Sequence, residues 1–182
     1  MELLLSDSNR VKLRRYSKNV VINGLGVIMF GAWSVIKIML MYIYNPAYKA
    51  DLVRYDENGL REINYPILLG ITIFAVLIAG VHFYLGTQAI NYGRGRSEKK
   101  TYLFVVAILL FWTVTSSIGS IIYISQDIAD IADITDITDI MDIKYIDDKI
   151  VTTFTDAIFI SILIDLFYST IKVANIRKSG SL

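Results

Sequence analysis

The sequence predicts an all-α integral membrane protein with four transmembrane helices in an antiparallel bundle and both termini cytoplasmic. Three observations carry that prediction. The 182 residues are 54% hydrophobic and only 19% charged, with a mean hydropathy of +0.52. A soluble domain of this size is less apolar and closer to a quarter charged. The apolar residues also gather into four runs, at 20–44, 66–90, 102–124 and 150–173. Each run is long enough to cross the hydrocarbon core, which takes about 20 residues at roughly 1.5 Å each. Finally, basic segments alternate with neutral or acidic ones along the chain. Four such runs leave little chain for a water-facing shell, so residues 1–182 are expected to form a single membrane domain.

The first segment sets the orientation. Lys12, Arg14, Arg15 and Lys18 precede the first run, and cationic segments stay on the cytoplasmic side. The same residues suit anionic lipid head groups. Glu2 and Asp7 are acidic and the run behind them is long, so a cleaved leader is not expected and the first run reads as a signal-anchor. The first outer loop balances Lys49, Arg54 and Arg61 against Asp51, Asp56, Glu57 and Glu62. Its Asn45-Pro46 and Asn58-Gly59 pairs are turn signals, and Pro66 suits the first turn of the next helix. Tyr42, Tyr44, Tyr48, Tyr55 and Tyr65 cluster at that edge, like the aromatic belts of membrane proteins.

The second loop, 91–100, is basic again, with Arg94, Arg96, Lys99 and Lys100 against Glu98. Arg177 and Lys178 follow the last run. The segment between them, 126–149, is strongly acidic. Within it an Asp-Ile-x triplet runs six times, with Asp127, Asp130, Asp133, Asp136, Asp139 and Asp142. A three-residue period makes the aspartates wind around an α-helix instead of sharing one face. Three readings stand: a low-complexity insertion partly continuing the third helix, a weak cation or cationic-partner patch, or an Ile-rich docking surface. The triplets lack the Gly turn and bidentate Glu of a calcium loop.

The candidate site residues are polar groups within the spans, where a central charge costs about 2.5–3.5 kcal/mol on insertion scales. They form two expected pairs, His82 with Asp165 and Lys37 with Asp156. Thr72, Ala75, Ala79, His82, Gly86 and Ala89 recur in steps of three and four. That makes a small-residue seam pointing His82 into the bundle. His82 and Asp165 each lie eight residues from the same end of their runs, so contact between them is allowed. It would serve either as a structural hydrogen bond or as a protonatable relay. Ser161, Asp165, Tyr168, Ser169 and Lys172 share a polar stripe.

Lys37 lies about 10 Å inside the outer end of its run, level with Asp156. It either pairs with Asp156 or snorkels to the head groups. Asp156 and Asp165 are nine residues apart, about half a turn out of phase, which argues against a common neighbour. Thr113, Ser116, Ser117 and Ser120 share one face of the third run, as a packing seam or a narrow polar path. Gly24 and Gly31 mark close packing in the first run.

Catalytic and metal sites and cofactors are not expected. There is no nucleotide-binding loop, no zinc-protease signature and no nucleophile elbow. The chain has one histidine and no cysteine, and a net charge of +1 gives no basic stripe for nucleic acid. Richness in Ile, Lys, Asn and Tyr suits an AT-rich microbial genome. The expected partners are the lipid bilayer and either further copies or another membrane subunit. Two functions remain. One is association with a membrane partner, as an accessory, assembly or immunity-type protein. The other is an oligomeric ion or proton channel, or a small transporter, using Asp165 and His82. For the orientation, Ser8→Cys, Ser97→Cys and Ser179→Cys are all expected to resist an impermeant thiol reagent added outside intact cells. Outside labelling of Ser97→Cys inverts the assignment.

Overall fold

Four long helices account for nearly all of the described residues. The computed structural model describes residues 7–44, 48, 52–55, 61–132 and 140–179, the side chains of 54, 55, 61 and 127–149 excepted. Helix α1 is Asp7–Tyr44, α2 Tyr65–Gly93, α3 Tyr102–Ala132 and α4 Ile140–Ser179. All four contain stretches long and apolar enough to cross a membrane. Each helix reaches past its apolar run. α1 has 38 residues and α4 has 40, about 57 and 60 Å at the α-helical rise. The acidic side chain of Asp7 in the first turn of α1 favours its start there, so the basic residues 12–18 are helical.

The all-α expectation stands, with one short hairpin in the loop after α1. Strands β1 (Val53–Tyr55) and β2 (Arg61–Ile63) pair antiparallel, with Val53 opposite Ile63. The hairpin hands directly to α2: Asn64 N–H donates to Leu52 C=O at 2.9 Å, and Pro66 occupies the first turn as its missing donor predicts. The acidic segment 126–149 partly continues the third helix, as one reading of its repeat had it. Its ends are helical, as parts of α3 to Ala132 and of α4 from Ile140. Residues 133–139 of the repeat, including Asp133, Asp136 and Asp139, lie outside the described residues. Asn58-Gly59 also lies outside them.

α1 is the hub of the packing. It lies most extensively against α2 and next against α4, which in turn packs on α3, while α2 meets α3 and α4 only marginally. Two different surfaces of α1 make this possible. On one, Gly24 has Gly86, Ala89 and Ile90 of α2 where a Cβ would sit, and Gly31 has His82. Gly93 at the end of α2 lies equally close to Ser17 and Val21. Small residues let the two backbones touch. On the other surface, Phe30 stacks on Phe159 of α4, centroids 4.7 Å apart, and Gly26 faces Ile162. The expected small-residue seams on α1 and α2 therefore meet each other.

The buried core lies toward one end. Val20, Val27, Leu85, Ala89, Tyr92, Tyr102, Val106, Phe159, Leu163, Leu166 and Val173 form it. Tyr92 and Tyr102 pack at 6.0 Å, and the Tyr102 hydroxyl donates to Thr170 Oγ1 at 2.8 Å. Thr170's own proton goes to Leu166 C=O. At this end α2 closes with a reversed cap. Gly95 takes φ +75°, and Gly95 and Arg96 N–H donate to the Tyr92 and Asn91 carbonyls. This is the paired arrangement that satisfies a helix's last acceptors. Arg177 of α4 adds a third contact, donating to Tyr92 C=O at 3.1 Å with its guanidinium over the Tyr92 ring. The other halves of the helices turn large side chains outward, among them Phe74, Phe111, Trp112 and Phe154.

Gly24→Val is expected to lower stability by about 1–3 kcal/mol, because the new side chain meets the Gly86 carbonyl. Gly70→Ala and Gly80→Ala, at positions with open space around them, should leave the thermal midpoint in detergent unchanged or raised.

Candidate functional site

The polar groups within the spans fall into four groupings, and His82 and Asp165 take different hydrogen-bond partners. Asp165 takes its hydrogen bonds from Asn23 of α1 and Ser169 of its own helix. Asn23 Nδ2 donates to Oδ2 at 2.7 Å, and Ser169 Oγ donates to Oδ1 at 3.1 Å. Asn23 and Ser169 are both buried, so this is an internal tie between α1 and α4. Further along the same stripe, Tyr168 meets Tyr16 edge-on and Lys172 lies over the Tyr168 ring. Ser161 turns back to its own backbone at Ala157.

His82 is buried as expected and faces α1, but its hydrogen bond is local. Nδ1–H donates to Ile78 C=O at 2.8 Å, and the ring lies 5.5 Å from Phe159. The cause is the packing order. Its side chain packs against Gly31 of α1 and the Phe159 ring, while Asp165 lies two turns away on α4, where Asn23 already occupies it. Sequence reasoning missed Asn23. The signal was present: Val20, Asn23, Gly24, Val27 and Gly31 form a spacing of three and four, and all are buried.

Lys37 is exposed and donates from Nζ to Thr152 Oγ1 at 2.7 Å. Asp156 stands one turn further along α4, near enough for the Lys37 charge to act on it. Thr152 is thus a hydrogen-bond partner of Lys37, with Asp156 beside it on α4. Both aspartates therefore deal with α1, against the half-turn argument. Phe159, Ile162 and Thr152 form the α1-facing stripe of α4, and the carboxylates sit on its two flanks.

The hydroxyl face of α3 divides. Thr113 and Ser117 are buried, Ser120 is half-buried and Ser116 is exposed. Thr113 donates to Leu109 C=O. Ser117 Oγ is the buried side-chain atom, among the described residues, with no hydrogen-bond partner. No grouping of His, Asp and Glu fit to hold a metal ion occurs among the described residues. The side chains of Asp127, Asp130 and Asp142 lie outside them.

Comparison with family models, curated proteins and solved structures finds no match. What the helices themselves define is the class of multi-pass helical membrane proteins.

In a double-mutant cycle, Asn23→Ala and Asp165→Ala are expected to couple by about 0.6–1.7 kcal/mol, the range for hydrogen bonds between membrane helices. Asp165→Ala with His82→Ala should be additive within a few tenths. Reversible unfolding in mixed micelles reads both.

Proposed function

We propose that this is a multi-pass protein of the cell membrane, termini in the cytoplasm, which works by associating with another membrane protein. Helix order and charge support the orientation. Ser17 and Val21, Gly93 to Arg96, Tyr102 and Arg177 gather at one end of the bundle, bringing all three basic segments together. Neighbouring helices then alternate in direction. Between α1 and α2 the contacts run in opposite sequence order: Ser17 by Gly93, Gly24 by Gly86, Gly31 by His82. For α3 and α4 the argument is reach. Tyr102 touches Thr170, while Ala132 and Ile140 are only eight residues apart, about 29 Å of extended chain at most. Parallel helices in that register would separate those ends by roughly 90 Å.

The observation that carries the association reading is that the small-residue seam of α2 is only half used. His82, Gly86 and Ala89 are buried against α1, whereas Ala75 and Ala79 are half-exposed and Thr72 is exposed. Gly70 and Gly80, on other faces of α2, also have no atom of the chain within 4 Å of a Cβ position. In a bilayer, helices associate by close packing of such residues, since lipid already covers apolar surface. A transmembrane helix of a partner fits the outer half of α2 by the chemistry that fits α1 to its inner half.

The test is native electrophoresis of membranes solubilised in mild detergent. The chain is expected in a complex well above its 20.6 kDa, and Ala75→Leu with Ala79→Leu should release it without lowering its own thermal midpoint. Migration as a monomer, together with proton or cation flux in liposomes that Asp165→Asn abolishes, would replace this reading with the channel.

A further inference from the structure

We infer that the basic end of the furrow between α1 and α2 holds an anionic phospholipid. Its phosphate lies among Arg14, Lys18 and Arg94, and an acyl chain runs along the apolar residues behind them. The inference goes beyond the association reading and does not depend on which side of the membrane the basic end faces. The packing of α1 on α2 creates two flanks. The core lies on one, with Val20 and Val27 of α1 and Leu85 and Ala89 of α2. The line of closest approach runs through Gly24, Gly31, Gly86 and Gly93. On the other flank Ile28 meets Gly86, Ile90 meets Gly24 and Val21 meets Gly93.

Helical spacing carries this second flank to the basic end. Arg14, Val21 and Ile28 are seven residues apart, as are Lys18 and Leu25, and Phe83 and Ile90. Arg94 follows Ile90 by one turn. It keeps helical backbone angles as the cap residue of α2, φ −77° and ψ −2°, so its side chain leaves on that same flank. The contact of Gly93 with Ser17 and Val21 holds it beside α1. Leu25 and Phe83 are 50% and 62% exposed, and Val21, Ile28 and Ile90 are half-buried. Arg14, Lys18 and Arg94 are exposed. The result is a shallow apolar furrow headed by three cations.

Depth and charge both suit a lipid phosphate. Lys18 precedes Val20 by two residues and Arg94 follows Ile90 by four, about 3 and 6 Å beyond the apolar runs. Those levels fall in the headgroup layer, roughly 5–8 Å thick on each side. Segments 7–18, 94–100 and 172–179 carry twelve basic residues against Asp7 and Glu98. Asp7 stands two turns beyond Arg14, and Glu98 four residues past Arg94. Arg177 is taken up by the carbonyl and ring of Tyr92, and Lys172 lies over Tyr168. Guanidinium groups match phosphate oxygens in a two-point contact, and basic clusters at this depth attract anionic head groups. A free phosphate answers the cations alone; a phospholipid answers the cations and the furrow.

Native mass spectrometry of the full-length protein in detergent, titrated with phosphatidylglycerol or phosphatidylcholine, tests this. Phosphatidylglycerol is expected to bind at least about tenfold more tightly. The triple variant Arg14→Gln, Lys18→Gln, Arg94→Gln should abolish that preference. Lys12→Gln with Lys99→Gln and Lys100→Gln removes the same charge elsewhere at that end, and should leave the preference within about threefold. Equal loss in the two variants, or no preference in the wild type, overturns the site. A phosphatidylglycerol with a photoreactive acyl chain should label residues 21–28 and 83–90. Label spread evenly over the four helices overturns the furrow. Soluble glycerophosphate displacing the lipid mole for mole overturns the lipid as occupant. The first triple variant removes like charges from exposed positions, so its thermal midpoint in phosphatidylcholine micelles should stay unchanged or rise. That separates lost binding from lost fold.

Discussion

The hydrogen bond from Asn23 to Asp165 constrains much of what surrounds it. A carboxyl group within a membrane span is costly unless something in the protein receives it. Here the receivers are an amide on α1 and a hydroxyl one turn along α4. Once that tie is made, the register between α1 and α4 has little freedom. Phe30 falls on Phe159, Gly26 on Ile162 and Lys37 on Thr152. A shift of one turn would leave the carboxyl without Asn23 and put Phe30 against a different level of α4. Polar pairing selects the register here, and dispersion between closely fitted side chains supplies most of the attraction.

The opposite surface of α1 obeys a different rule. Glycines at 24, 31, 86 and 93 bring the α1 and α2 backbones into contact, with no hydrogen bond between side chains required. One helix thus serves two neighbours by two mechanisms, close backbone approach on one side and a polar tie on the other. The result is a dense half where both operate, and a looser half where α1 carries Lys37 and α2 carries an unfilled seam.

Much of this was legible in the sequence. The four spans, the alternation of basic segments and the seam through His82, Gly86 and Ala89 follow from hydropathy, charge and heptad spacing. The pairing of polar groups did not follow, for a physical reason. Depth along each helix is readable from residue counts, but which helices are neighbours is not. His82 and Asp165 were level with one another only under a guess at adjacency, and α1 takes the place that guess gave to α2. The half-turn between Asp156 and Asp165 was correct arithmetic with too strict a conclusion. A helix face in contact with a neighbour has two flanks, and a residue on either flank reaches it. Asn23, a neutral amide amid Gly and Val, carries no charge to mark it in a hydropathy pattern, although it belongs to the buried stripe of α1. The hairpin after α1 rests on two three-residue strands, too short for periodicity to register.

Arg177 has a consequence for how the chain is assembled. Its guanidinium completes the C-terminal cap of α2 and covers the Tyr92 ring, yet it lies 85 residues further along the chain. During synthesis α1 and α2 enter the membrane together and already hold the glycines that join them. The Tyr92 carbonyl, already held by Gly95 N–H, gains its second donor only after α3 and most of α4 have been made. Closure at that end is the last event available to the chain, and it occurs only when α4 has threaded fully. The contact therefore marks completion: a bundle whose final helix is inserted short or inverted keeps the local cap of α2 but lacks the Arg177 cover over it.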